Sequence, residues 1–188
     1  MKHLSKDLVF FGKKQLKYRK VANINLTVLR NEAKYAAGLL DGEGSFILRE
    51  VGKTYPRFSP LIELAMTHKK TVEFVAEVFC VTTGKVARNK PRKDAYYLRI
   101  TTQKEIKQVC EELEEYSVTK RKQIQLLLDY FSLKEKLIRP IGRHILQNRE
   151  ILEKMIDLFI ELKKLNETGE PPNYDAMKRE LLARLPEN

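Results

Sequence analysis

Two spacings of apolar residues alternate along the chain. Over residues 45–51, Phe46 and Leu48 fall on one side of an alternating pattern, as expected for a β-strand with one buried face. Pro60 lies inside a second apolar stretch, where it indicates a bulge or a sheet edge, because proline cannot donate a hydrogen bond to a neighbouring strand. The strands predicted in this way cover residues 45–51, 57–67, 84–90 and 95–101.

Helical spacing, in which apolar residues recur at the period of a helical turn, appears between these strands and after them. Thr102 and Glu105 have the spacing of a capping box at the start of one such helix, and Asn173 is placed to cap the last. The order of elements predicts an α+β fold in which an antiparallel sheet carries helices on one face. The helices predicted after the first strands cover residues 71–79, 102–113, 119–133, 147–165 and 173–185.

The most unusual stretch of the sequence is residues 35–46, which begins as a helix. Gly38 and Gly42 stand four positions apart in it and so share one helical face. Each glycine costs about 1 kcal/mol relative to alanine inside a helix. Small residues at this spacing let two backbones approach closely, so the pair predicts a helix–helix contact.

Asp41 and Glu43 follow at the end of this helix, where partial negative charge makes each carboxylate unfavourable by about 0.3–1 kcal/mol. No lysine or arginine lies between Tyr35 and Leu48 to compensate them. A bound cation is the simplest compensation. The stretch therefore predicts a closely packed helix that delivers carboxylates to the start of a sheet.

Composition limits the class of protein. A chain of 188 residues with 43% hydrophobic residues is expected to form one domain, and it contains no apolar run long enough to span a membrane. Cys80 and Cys110 lack the spacing of metal ligands and are interpreted as core thiols in a reducing compartment. The predicted organisation is a basic N-terminal extension at 1–22 and one domain at 23–188, with its core at 31–133 and C-terminal helices at 134–188.

The net charge of +11 is confined to the first half of the chain. Residues 1–34 contribute +7 and residues 45–99 contribute +6, whereas residues 100–188 hold sixteen residues of each sign. Such an excess, concentrated around the acidic stretch and the strands, is typical of a surface that binds a polyanion.

The solvent side of the predicted sheet carries basic residues and tyrosines suited to DNA. A β-ribbon can enter the major groove, where arginine pairs with guanine, while lysines more often contact phosphates. A charged, solvated sheet face is the alternative, since antiparallel sheets commonly have one. The candidate DNA-binding residues are Arg49, Lys53, Arg57, His68, Lys85, Arg88, Lys90, Arg92, Lys93, Tyr97 and Arg99.

Residues 36–44 resemble the nine-letter signature of the LAGLIDADG homing endonucleases. The departures are mild: Ala36 at the first letter, Leu40 at the fifth, and Gly42-Glu43 where the letters have alanine and aspartate, so the carboxylate is kept. The resemblance implies the same order of helices and strands, αββαββα, with the strands forming a concave saddle over double-stranded DNA.

The resemblance also implies the roles of individual residues. Glu43 is the expected ligand of a divalent metal ion, together with the backbone carbonyl of Gly42; Mg²⁺ is the expected ion and Mn²⁺ a substitute. Asp41 is interpreted as a structural acid that caps paired helix ends, with a direct metal role as the alternative. Lys120 lies near where the family keeps a catalytic basic residue, although it could equally belong to a phosphate clamp or an ordinary helix start. His68 is a weaker catalytic candidate that would contact water or a base.

The signature occurs once in the chain, and one carboxylate per chain cannot build a two-metal centre. This predicts a homodimer packed helix against helix. The resemblance implies that each subunit cuts one strand across the minor groove, leaving 3′ overhangs on a long, roughly palindromic target. The predicted interface residues are Ala37, Gly38, Asp41 and Gly42.

The function expected from these features is that of a site-specific double-strand DNA endonuclease of the homing type, with no membrane partner and no nucleotide cofactor. Such a protein is expected inside an organelle or in a prokaryotic cytoplasm. The alternatives on the same fold are an RNA-binding maturase and a DNA-binding transcription regulator, neither of which cleaves. The acid at Glu43 favours cleavage, because a protein that only binds has no need of it.

Overall fold

A computed structural model describes residues 26–52, 54–79, 83–86, 94–137 and 149–185, with the backbone alone over 26–30 and 83–86. The predicted basic extension at 1–22 lies outside these residues. Within them, the elements are α1 (Leu26–Glu43), β1 (Gly44–Glu50), β2 (Phe58–Met66), α2 (Lys69–Val78), β3 (Thr83–Val86), β4 (Ala95–Ile100), α3 (Gln103–Glu114), α4 (Arg121–Lys136), α5 (Arg149–Leu165) and α6 (Tyr174–Ala183).

The four strands form one antiparallel sheet in the order β1-β2-β4-β3. Pro60 pairs with Leu48 in an unbroken register, so the predicted bulge does not form. β2 lies between β1 and β4, so the prediction that it is an edge strand was wrong. Pairing with β4 stops at Ile62, however, so at Pro60 the strand has β1 as its partner on one side and no partner in β4 on the other.

The helices cover one face of the sheet, which confirms the predicted α+β class. The alternation of β1 is as predicted: Phe46 and Leu48 are buried, whereas Ser45 and Arg49 are exposed on the other face. The buried side chains of the strands and those of the helices form one continuous core. We call the uncovered side the open face of the sheet; Ser45, Glu63 and Arg99 lie across it in register.

Local capping signals had mixed outcomes. Asn173 caps α6, as predicted, by accepting a hydrogen bond of 2.9 Å from the Ala176 amide. Thr102 occupies the N-cap position of α3, but its side chain makes no capping bond, so the predicted capping box does not form. Cys110 is a buried free thiol, as predicted, and burial raises the pKa of its thiol well above the ordinary value; Cys80 lies outside the described residues.

The last two helices are tied to the first strand by long-range hydrogen bonds. The Asn166 side-chain amide donates to the Phe46 carbonyl oxygen at 2.7 Å. The Arg184 guanidinium donates to Glu50 and to the Gly52 carbonyl. The C-terminal helices therefore belong to the same packed unit as the sheet. Among the described residues, none of the helices has the length and apolar character needed to cross a membrane.

Candidate active site at the end of the first helix

Helix α1 passes into β1 without a connecting loop: Glu43 is the last helical residue and Gly44 the first of the strand. A Cβ on Gly44 would collide with the backbone carbonyl of Leu40, so only glycine allows so abrupt a change. The junction presents the two acids of the helix end, Asp41 and Glu43, at one end of the sheet, and their surroundings differ sharply.

Asp41 is fully engaged by the segment that precedes α4. Its Oδ1 accepts hydrogen bonds from the buried Ser117 hydroxyl and from the Lys120 amide at 2.8 Å. Its Oδ2 accepts from the amides of Thr119 at 2.9 Å and Val118 at 3.2 Å. Burial alone would raise the pKa of Asp41, but these hydrogen bonds outweigh it and hold the pKa well below its ordinary value.

This geometry corrects the expectation that a cation compensates both acids. Asp41 faces the N-terminal end of α4, where free amides and partial positive charge favour a carboxylate. Within one chain, Asp41 binds the segment that leads into α4. Its predicted role in capping paired helix ends stays a prediction. Only Glu43 is left without compensation.

Asp41→Asn is expected to lower the free energy of unfolding by about 1–2 kcal/mol at neutral pH, because the variant turns an amide donor toward backbone N–H groups. The folded-state pKa of Asp41 lies below its unfolded value, so its contribution is complete above pH of about 4 and shrinks as the pH falls further. Urea denaturation of both chains at about pH 7 and about pH 3 measures this. Ser117→Ala, which removes only one hydrogen bond, serves as a milder control. Equal stability of wild type and Asp41→Asn at neutral pH would contradict the assignment.

Glu43 is exposed and makes no hydrogen bond or ion pair within the described residues. The preceding Gly42 contributes one of the last carbonyls of α1, which lack partners within the helix. A carboxylate and a carbonyl oxygen are the donors that hard divalent cations prefer. No cluster of three or more His, Cys, Asp or Glu side chains occurs in the described part of the chain.

Two further predicted residues lie at this end of the fold. The hydrogen bond from the Lys120 backbone amide to Asp41 places Lys120 beside the end of α1. The half-buried Lys120 side chain makes no ion pair within the described residues. Its neighbours are engaged elsewhere: Arg121 donates to the Ser117 carbonyl at 3.0 Å and Lys122 pairs with Glu161 at 2.9 Å. Lys120 is thus the basic residue of this cluster that remains available.

His68 lies at the N-cap of α2, just beyond the end of β2. Gly44 pairs with Leu64 near that end of β2, so His68 lies at the same end of the sheet as Glu43. Its exposed ring places Nδ1 2.7 Å from the Thr71 hydroxyl.

Part of the predicted basic surface can be located. Arg49 and Arg57 are exposed and make no ion pair in the described part of the chain. Arg99 is bound to Glu63 across the strands at 3.0 Å, with its guanidinium 4.7 Å from the Tyr97 ring centroid. Lys85 lies opposite Tyr96 in the register. The candidates outside the described residues are Lys53, Arg88, Lys90, Arg92 and Lys93.

Sequence reasoning missed Ser117 and Glu63. Ser117 is 76 positions from Asp41, and no local pattern links the two. The partnership of Glu63 with Arg99 could be found only from the pairing of β2 with β4.

The open side of α1 contains both glycines of the predicted interface. Gly38 and Gly42 are exposed, and a Cβ on either would meet nothing within 4 Å. Ala37 is buried in the chain's own core instead. The packing of the single chain therefore does not explain why this helix carries two glycines.

Comparison with known proteins places the chain in a family. No curated protein matches it, but the LAGLIDADG endonuclease family matches residues 36–137, more than half of the chain. Similar solved structures include I-CvuI in complex with its target in the presence of calcium (TM-score 0.63, 16% identity, 86% of this chain and 98% of that chain). The archaeal intron-encoded homing endonuclease I-Vdi141I complexed with DNA (TM-score 0.65, 18%, 83% and 95%) is another. The meganuclease I-AabMI bound to uncleaved DNA matches over 79% of this chain but only 48% of its own (TM-score 0.55, 18%). At these identities the structures show a shared fold, and the family match shows more: the chain belongs to the LAGLIDADG endonuclease family.

Proposed function

We propose that this protein is a site-specific endonuclease that hydrolyses phosphodiester bonds in double-stranded DNA with a divalent metal ion. The observation that carries the proposal is the carboxylate of Glu43 at the junction of α1 and β1, which is exposed and has no partner among the residues that the structure describes. A protein that only binds RNA or DNA has no use for an uncompensated acid at the edge of a basic surface. The DNA complexes of I-CvuI and I-Vdi141I support DNA as the partner.

Glu43 and the Gly42 carbonyl are the groups of this chain that would hold the ion, with Mg²⁺ expected and Mn²⁺ as a substitute. A divalent ion bound there would activate water and neutralise charge developing on the cleaved phosphodiester. Lys120, available beside the end of α1, would add positive charge near the leaving oxygen. His68 at the same end of the sheet would orient water or contact a base.

The active form is proposed to be a homodimer. The signature occurs once in the sequence, so each chain brings one copy of Glu43, and the open glycine side of α1 allows a second copy to approach closely. The comparison with I-AabMI supports this, because this chain matches only 48% of that chain, which leaves room there for a second unit of similar size. Two copies about a two-fold axis would cut both strands, leaving 3′ overhangs on a long, roughly palindromic target.

The test is cleavage of a library of double-stranded DNA targets in Mg²⁺, with sequencing of the ends produced. Cuts in both strands at one enriched sequence, with 3′ overhangs, are expected. Enrichment of a bound sequence that is never cut would favour a DNA-binding regulator, and binding confined to structured RNA would favour a maturase.

DNA affinity is expected to fall steeply with salt. If about ten phosphates are neutralised, the slope of log affinity against log salt should be near −9. Fluorescence anisotropy at fixed divalent ion and varied KCl measures this slope. Arg57 is exposed and immediately precedes β2, and Arg57→Ala should make the slope shallower by about 1. Lys178→Ala, which removes an ion pair between α6 and α5, should leave the slope unchanged. A wild-type slope near −2 would contradict the basic surface.

A further inference from the structure

A row of three side chains crosses the open face of the sheet. Ser45 on β1 pairs with Glu63 on β2, which pairs with Arg99 on β4. Glu63 Oε1 lies 3.0 Å from an Arg99 guanidinium nitrogen, and the side chains are 23% and 47% exposed. The Arg99 guanidinium also lies 4.7 Å from the centroid of Tyr97, two positions earlier on β4.

Stability alone does not account for this arrangement. An exposed ion pair contributes about 0–1 kcal/mol, and an acid on a surface that binds a polyanion weakens that binding. Arg49 and Arg57, the other described arginines of this side, make no ion pair with any residue that the structure describes. Glu63 and the Tyr97 ring thus hold the Arg99 guanidinium in one orientation, whereas no described acid fixes Arg49 or Arg57.

The row is also close to the candidate active site. Ser45 is two positions after Glu43, and the next row along β1 contains Gly44. Neighbouring strands lie about 4.8 Å apart, so Arg99 stands roughly 10 Å across the sheet from Ser45. DNA with a phosphodiester at Glu43 would therefore present its nearby base pairs to Arg99.

We propose that Glu63 is a positioning residue that, together with the Tyr97 ring, holds Arg99 to recognise a guanine close to the cleaved bond. This rests on the proposed function. Arginine has five N–H donors, and the hydrogen bond to Glu63 uses one of them. The remaining donors suffice for O6 and N7 of guanine in the major groove. Fixing the guanidinium beforehand lowers the entropy lost on binding and restricts which base it can reach.

The experiment compares wild type, Arg99→Ala and Glu63→Gln on a library of targets in which every base pair is varied, scored both by binding in Ca²⁺ and by cleavage in Mg²⁺. Arg99→Ala should lose a guanine preference of about 10–100-fold at one position in each half-site. Glu63→Gln should weaken the same preference roughly threefold to tenfold, while overall affinity stays equal or rises, because a negative charge has been removed. A role in folding alone would lower affinity for all targets together.

Glu73→Gln is the matched control, since it removes an ion pair of similar length on α2, Lys69–Glu73 at 2.9 Å. The proposal is overturned if Glu63→Gln behaves like Glu73→Gln, or if preferences change at every position. It is also overturned if wild type cleaves but shows no guanine preference that depends on Arg99; the proposed function then stands. A wild-type chain that enriches no DNA would overturn both.

Discussion

Glu43→Gln is expected to abolish DNA cleavage and to leave DNA binding intact. The neutral amide loses the charge that holds a divalent ion, so the single-turnover cleavage rate should fall on the order of 10³-fold or more. Because Glu43 is exposed and makes no hydrogen bond or ion pair in the described residues, the substitution should change the free energy of unfolding by no more than about 0.5 kcal/mol. Single-turnover assays in Mg²⁺ and anisotropy in Ca²⁺ measure the two effects separately.

The control for charge is Glu115→Gln. Glu115 is exposed at the end of α3 and, like Glu43, makes no ion pair with the described residues. Both variants raise the net charge by the same amount, so a change in DNA affinity that they share is electrostatic. If Glu43→Gln cleaves DNA as fast as Glu115→Gln does, the assignment of Glu43 as the metal ligand is wrong.

The contrast between Asp41 and Glu43 shows what could be predicted from the sequence. The position of both acids at a helix end without nearby cations was readable, and the resemblance to a family signature separated their roles. Their compensation was not readable, because the hydroxyl and amide groups that bind Asp41 belong to residues 76 to 79 positions away. Local electrostatics predicted one cation for both acids. In the fold, the segment before α4 binds Asp41, and Glu43 has no partner among the described residues.

The same division holds elsewhere in the fold. The signals for the burial of Phe46 and Leu48 and for the cap at Asn173 lie within a few neighbouring residues of the sequence, and both features were predicted. Whether Pro60 has a partner on both sides depends on where β4 stops pairing with β2. The orientation of Arg99 depends on an acid from another strand. Residues whose role is set by strand order or by contacts between distant helices could not be placed before the topology was known.

Alanine at Gly38 or Gly42 is expected to stabilise the single chain and to weaken its pairing. A Cβ at either position meets nothing in the chain, and replacing glycine by alanine in a helix gains up to about 1 kcal/mol. In a dimer the added methyl groups would lie between two helices whose backbones must nearly touch, and both copies would carry them. Self-association should weaken at least about tenfold, and cleavage of both strands should fall with it.

Two further glycines separate this effect from a general cost of substitution. Gly44→Ala should destabilise the chain itself, because its Cβ would collide with the Leu40 carbonyl. Gly169→Ala, whose nearest contact would be a Glu167 oxygen at 3.8 Å, should change neither stability nor association. Sedimentation equilibrium with and without DNA, together with urea denaturation, follows both quantities. If the variants at Gly38 and Gly42 dimerise and cleave DNA as the wild type does, this side of α1 is not the dimer interface. The Glu43 carboxylate would then have to meet a second acid by another arrangement of the two chains.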